Sequence, residues 1–328
     1  AFYYNKPKEE VTDVEFNAKD KMATRAAGGK VLNMMVDRYA NMVGGSADLA
    51  GPNKTDLKNG NGIYSAENPL GRTVEFGIRE FAMSALCSGM RLHGGLRPFC
   101  ATFLVFADYL RPQLRVASLM KLPLIYIFTH DSIYVGEDGP THQPVEVLAS
   151  LRAIPGVQVL RPGDAQETAE AWNMAMESTD HPVCIVLTRQ DLQGYEKEDS
   201  NWKENIKKGA YVAKKGTDNP DITVLATGSE VSMAIEAANM VSDKNIRVVS
   251  IVDFNKFDDM EKAEQDALIG GAKRVVCAEA GISANWKAYA TSKADLFCID
   301  RFGESGPANK VAEHLGFTAS KLAEELKK

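Results

Sequence analysis

The stretch "THDSIYVGEDGPTHQP", residues 129–144, gathers His130, Asp131, Glu137, Asp138 and His142 directly after the apolar run "LPLIYIF". Ionisable groups delivered by a buried strand could ligate a metal, cap a solvated loop or bind a polar substrate. Metal ligands usually recur at short helical or hairpin spacings, whereas Gly136, Gly139 and Pro140 give this stretch the course of a loop. A substrate-binding loop is therefore the favoured reading.

Three further groups carry possible chemistry. Glu80 stands near the start of the mostly apolar segment "GIREFAMSALCSGMRLHGG". Three residues after Gly77, it could cap a helix; set among Ile78, Phe81 and Met83, it would be a desolvated carboxyl suited to proton chemistry. Phe103, Phe106 and Tyr109 recur at intervals of three in "ATFLVFADYL", a helical aromatic stripe that is either core or a platform for a flat heteroaromatic ring. Arg25 and Arg189 are single cations among small or apolar neighbours, open to a salt bridge or a phosphate.

The elements that must position these groups alternate. "LPLIYIF", "VQVL" and "PVCIVLTR" read as buried strands, with "PVEVLASLRAI" and "DAQETAEAWNMAMES" as helices, the latter opened by a capping pattern from Asp164 to Glu167. The segment from Lys21 to Ala40 reads as a helix stopping near Gly44 and Gly45, and "GIREFAMSALCSGMRLHGG" as a buried helix. After a charged stretch, "DITVLATG", "EVSMAIEAANMV", "IRVVSIVDF", "RVVCAEAG" and "SKLAEELKK" resume the alternation. The fold class is thus α/β, with two doubly wound, mostly parallel-sheet domains. We expect an arm over 1–21, a first domain over 22–192, a connection over 193–220 and a second domain over 221–328. Ligands in such sheets collect beyond the carboxyl ends of the strands, so the 129–144 loop and Thr188-Arg189 should face one crevice.

At 328 residues, 45% hydrophobic and 25% charged, the chain can bury two cores, and no window reads as a membrane span or secretory signal, which points to the cytoplasm. The net charge of −6 leaves no basic footprint for nucleic acid or an anionic membrane, so any anion must be held locally. Five cysteines without CxxC spacing read as reduced core residues. The chain begins at Ala1 rather than methionine, as a trimmed chain or a fragment would.

Taken together, "GGSADLAGPNKT", "EFGIREFAM", "LHGG", "TFLVFADYLRPQLR", "THDSIYVGEDGPTHQPVE", "LTRQ", "ATGSEV" and "FGESGPA" resemble the second half of transketolases, across residues 22–328. The resemblance implies thiamine diphosphate as cofactor, a pyrimidine-binding domain followed by a C-terminal domain, and transfer of two-carbon ketol units between sugar phosphates. It implies that Glu80 hydrogen-bonds the pyrimidine N1′ and so promotes the imino tautomer that takes the thiazolium proton. Phe103, Phe106 and Tyr109 would form the aromatic pocket, and Asp48 would belong to the cofactor region.

Arg25 and Arg189 would bind phosphate, His130 would help hold the sugar phosphate, Asp138 would read a hydroxyl, and His142 would lie near the reacting carbons. The family's Gly-Asp-Gly domain, which anchors the diphosphate and its Mg2+ or Ca2+, is not matched in this sequence. A homodimer, or pairing with a diphosphate-binding half, would then be needed for turnover, and no metal ligand is expected from this chain. Pro52 stands where many members carry a phosphate-binding serine, so the backbone or Asn53 would have to substitute. A deoxyxylulose-phosphate synthase, which shares a similar loop, and a non-catalytic assembly or regulatory subunit are the alternatives.

Overall fold

The structure is a computed structural model and describes residues 14–328. The first part of the expected arm, residues 1–13, lies outside the described residues. The remainder of the arm is docked: Phe16 is buried in the main core. β1 (Lys21–Met22) then pairs antiparallel with β7 (Leu192–Gln193).

The first domain runs through α1 (Thr24–Arg38), β2 (Met42–Ser46), α2 (Ala50–Asn53), α3 (Glu80–His93), β3 (Arg97–Phe103) and α4 (Ala107–Leu119). It continues with β4 (Ile125–Thr129), α5 (Val147–Arg152), β5 (Gln158–Leu160), α6 (Ala165–Glu177) and β6 (Val183–Val186). Its sheet is parallel throughout, in the order β2-β3-β4-β6-β5, so the carboxyl ends of all five strands share one edge. Asp164 caps α6 as its sequence pattern predicts, accepting from the Glu167 amide at 2.9 Å.

The second domain comprises α7 (Trp202–Ile206), β8 (Ala210–Lys214), β9 (Ile222–Ala226), α8 (Ser229–Asn239), β10 (Ile246–Ile251), α9 (Phe254–Asp258) and α10 (Lys262–Ile269). It ends with β11 (Arg274–Glu279), β12 (Leu296–Cys298), α11 (Ala308–His314) and α12 (Ala319–Lys327). The sheet order is β12-β11-β9-β10-β8, parallel except for β8, which runs antiparallel to β10. Both α7 and β8 lie within the stretch read as a connection.

Three sequence expectations need correction. Gly44 and Gly45 do not end a helix; they sit in the buried strand β2, where a Cβ on either would collide with the carbonyl oxygens of Phe99 and Val74. Close backbone approach, not chain reversal, requires glycine there. Phe103, Phe106 and Tyr109 do not share a helix: Phe103 closes β3, Phe106 lies in a single 3-10 turn, and Tyr109 is in α4. Finally, α3 is not buried on its apolar stripe, because Met83, Ser84, Cys87 and Ser88 face inward while Phe81, Ala82, Leu86 and Gly89 face outward.

One apolar cluster runs from Leu32 and Trp172 in the first domain to Val231 and Val248 in the second. Buried polar ties reinforce it. Arg152 meets Glu279 at 2.8 Å. Glu167 accepts from the hydroxyls of Tyr195, Tyr211 and Ser250 at 2.5, 2.6 and 2.7 Å. With an apolar cluster and buried polar contacts both spanning the boundary, the domains pack as one unit.

Candidate active site

The carboxyl-end edge of the first sheet collects the candidate residues. Thr24 and Thr188 exchange hydrogen bonds, Thr24 N to Thr188 Oγ1 at 3.1 Å and Thr188 N to Thr24 Oγ1 at 2.7 Å. This reciprocal lock joins the start of α1 to the chain leaving β6 and sets Arg25 beside Arg189. Burial lowers the Arg25 pKa, the Arg189 charge lowers it further, and Asp191 only partly offsets them. Two neighbouring guanidinium groups in a partly desolvated place form a site short of negative charge. The repeated Thr-Arg dipeptide was the sequence signal for this lock, and sequence reasoning missed it.

Arg25 Nη1 donates to the Pro52 carbonyl at 2.8 Å, so the backbone at Pro52 orients a cation. Asn53, the side chain offered for the serine's contact, has its polar atoms engaged within the fold. Its side chain is buried, with Nδ2 on Ser46 Oγ at 3.1 Å and Oδ1 accepting from Thr129 at 2.6 Å.

At the end of β4, His130 takes a positive φ of 59° and stacks on Phe103 with ring centroids 3.7 Å apart. Burial, then Arg25, Arg189 and His142, push its pKa down to about 3, so the ring is neutral at physiological pH. The loop then makes a turn at Ile133–Val135 and two left-handed bends at Gly136 and Gly139, with φ of 82° and 77°. Glycine is the residue that adopts both without strain. These bends return His142 to the aromatic rings, 5.4 Å from Phe106 and 6.5 Å from Phe103, both edge-on. Asp138 is exposed at the loop tip.

The second domain holds this loop. Gln143 Nε2 donates to the Glu304 carbonyl at 2.9 Å, and Ser305 Oγ donates to the Glu137 carbonyl at 2.6 Å. Arg161 joins Asp131, the residue after His130, to Glu230 of α8. None of these supports was singled out from sequence, since each partner is distant in the chain.

Phe103 and Phe106 are nearly parallel, 5.9 Å apart, and Tyr109 follows at 6.1 Å. Phe103 is buried and Tyr109 is 65% exposed, so the trio forms a shelf open at one end. Glu80 is the first residue of α3, only 8% exposed, and does not cap the helix. Its carboxylate has no hydrogen-bond partner among the described residues, which leaves it free for an incoming donor. Asp48, exposed with φ of 59°, lines a cleft of about 540 Å³ with Glu75, Gly77 and Arg79, next to Glu80.

A flat ring would fit a shelf of this kind. Among the described residues, no group of three or more His, Cys, Asp or Glu side chains could hold a metal ion. Nor is any helix there long and apolar enough to cross a membrane.

Comparison with known proteins identifies both domains. The transketolase pyrimidine-binding domain model matches residues 20–194, and the transketolase-like C-terminal domain model matches residues 209–318. A transketolase of Treponema pallidum is 51% identical over 94% of this chain and 46% of its own length. The structure of transketolase from Leishmania mexicana superposes with a TM-score of 0.90 at 35% identity, over 97% of this chain and 47% of that one. A structure described as "Split gene transketolase, inactive beta4 tetramer" shares the fold at a TM-score of 0.68 and 24% identity, over 93% of this chain and 97% of that one. The chain therefore spans about half the length of the full-length relatives it matches. By both domain models and by its identity to these relatives, it belongs to the transketolase family.

Proposed function

We propose that this chain is the pyrimidine-binding and C-terminal portion of a transketolase, active in ketol transfer between sugar phosphates when joined to a diphosphate-binding half. The observation that carries the reading is the convergence of Arg25, Arg189, His130, His142 and the aromatic shelf on one edge of one sheet. Thiamine diphosphate, when bound, supplies the stabilisation of a two-carbon carbanion. This chain's residues bind, orient and move protons around it.

Phe106, between Phe103 and Tyr109, offers its ring to the aminopyrimidine, and Glu80 holds a proton against the pyrimidine N1′. Asp48 belongs to the same cofactor region. Arg25 and Arg189 take the phosphate through charge-assisted contacts and so fix where the sugar chain lies. His130 and Asp138 meet the bound sugar phosphate along its length, and His142 works at the reacting carbons. The metal, Mg2+ or Ca2+, would be anchored by the other half.

Pairing has physical support in the outward stripe of α3. Phe81 and Leu86 are 51% and 53% exposed, and with Ala82, Ala85 and Gly89 they line an open apolar groove. An apolar face of this kind fits a second protein surface better than water. We read that surface as a second copy of the fold or the diphosphate-binding half. The likeness to a split-gene chain over nearly its whole length supports a separable half. The free cysteines fit a cytoplasmic location.

The test is reconstitution. The chain alone, with thiamine diphosphate and magnesium, should not convert xylulose 5-phosphate and ribose 5-phosphate, and addition of a diphosphate-binding half should restore turnover. Turnover by the lone chain would overturn the split reading. Equal activity of Glu80→Ala in the reconstituted enzyme would overturn the catalytic assignment.

A further inference from the structure

The turn that carries Asp138 and His142 closes on itself and is then tied to the second domain. Gly139 N donates to the Gly136 carbonyl at 3.0 Å, and His142 N and Gln143 N both donate to the Gly139 carbonyl, at 3.0 and 3.1 Å. Gln143 is buried, and the two hydrogens on its Nε2 meet two carbonyl oxygens: Gly136 at 2.8 Å inside the turn and Glu304 at 2.9 Å in the second domain. An amide turned the other way would set its oxygen against both carbonyls, so the side chain has one orientation.

The facing segment leaves room for that amide and no more. A Cβ at Gly303 would stand 1.7 Å from Gln143 Oε1 and 2.9 Å from its Cδ, whereas the next neighbour, Ile133 Cγ2, lies 3.4 Å away. The φ of Gly303 is not positive, so glycine is needed there for the amide and not for the backbone. Ser305 makes a second contact: its Oγ donates to the Glu137 carbonyl at 2.6 Å, and a Cβ on Gly139 would meet Ser305 Cβ at 3.2 Å. Asp138 thus lies between two residues that touch Ser305, and His142 directly precedes the one seated over Gly303.

We propose that Gln143 and Gly303 form a positioning pair: seated over Gly303, the Gln143 amide fixes where the turn presents Asp138 and His142. The second domain then takes part in the reaction without touching the substrate. The roles of Asp138 and His142 rest on the ketol-transfer reading above, whereas the seating of Gln143 does not.

The experiment is a double-substitution cycle on the chain reconstituted with a diphosphate-binding half. Gly303→Ala pushes a methyl group against Gln143 Oε1 from the other domain. It should lower kcat by about ten- to a hundredfold, as a misplacement of about 1 Å does, equally for phosphorylated and unphosphorylated sugars. KM for phosphorylated substrates should stay within about threefold of the parent, since Arg25 and Arg189 stand on other elements. Gln143→Ala adds no bulk, should show the same loss, and replaces Gly303→Ala if the added methyl prevents folding. With the amide gone, Gly303→Ala should change kcat by less than about twofold further.

Hydrogen exchange of the chain alone separates the seating from the kinetics. In Gly303→Ala or Gln143→Ala the peptide spanning 136–143 should exchange at least about tenfold faster, while β4 and α5 keep the parent rate. Unchanged exchange in the turn overturns the seating. Faster exchange with the parent kcat, additive losses in the double variant, or a loss confined to KM for phosphorylated substrates overturns the positioning role. A reconstituted parent without turnover overturns the ketol-transfer reading instead, and the exchange result still decides whether the pair sets the turn.

Discussion

Arg161 Nη2 lies 2.9 Å from Asp131 Oδ2, and the same guanidinium reaches Glu230 Oε2 through Nη1 at 2.5 Å, with all three side chains buried. Burial works against the Arg161 charge, but Glu230, Asp131 and Glu279 outweigh it and hold its pKa up. The clamp joins the residue after His130 to the first turn of α8, and so gives the second domain a hold on the site loop.

Arg161→Met should therefore leave two buried carboxylates without their cation. Removal of one partner of a buried ion pair costs about 3–5 kcal/mol. The measurement is the urea midpoint at constant m value. A midpoint equal to that of the parent would show that the clamp adds nothing to stability.

His130 gives a pH dependence with a definite sign. Its pKa is about 3 in the folded chain against 6.5 for the free side chain. Above both values neither state binds the proton; between them the unfolded state takes it and the folded state refuses it. Stability is complete above the unfolded pKa and declines as pH falls from 6.5 towards 3, by up to about 1.4 kcal/mol per pH unit from this group. His130→Gln should remove that part of the slope. Urea midpoints across mildly acidic pH test it, and parallel curves for parent and variant would contradict it.

The paired guanidinium groups predict a kinetic split in the reconstituted enzyme. Loss of one charge-assisted contact costs about 1.5–3 kcal/mol. Arg189→Ala should accordingly raise KM for phosphorylated substrates by about ten- to a hundredfold, with a much smaller change in kcat. Unphosphorylated sugars should show little difference between parent and variant. An equal loss on both substrate types would argue against a phosphate role.

Much of this was legible in the chain because local signals and tertiary outcome coincide. The apolar run before His130 is β4, and Asp164 with Glu167 opens α6 as their spacing indicates. Legibility failed where tertiary contact overrides local pattern. "MVGGS" has no strand alternation because its glycines answer to the backbones of Phe99 and Val74, which the sequence does not place nearby. The interval of three in Phe103, Phe106 and Tyr109 mimics a helix, yet arises from a strand end, a tight turn and a helix start. Asn53 was considered because it follows Pro52, which stands at the serine's place, and only the fold shows its side chain engaged with Ser46 and Thr129. The α3 stripe was read as core because helical periodicity reports an apolar face without saying which molecule covers it.

That stripe supplies the last prediction. Phe81, Leu86 and Leu92 are all more than half exposed on the outer side of α3, while Met83 and Cys87 anchor its inner side. A glutamate at Leu86 keeps the inner packing and should leave the unfolding midpoint almost unchanged, since the side chain is not part of the core of this chain. Placed inside an interface, the same carboxylate would be buried without a partner. If the face is where two copies meet, Leu86→Glu should weaken self-association by at least about tenfold, or about 1.4 kcal/mol. Sedimentation velocity over a range of concentrations reads this directly. A parent chain that stays monomeric throughout, or a variant that associates as the parent does, would mean that the apolar face of α3 is not the contact.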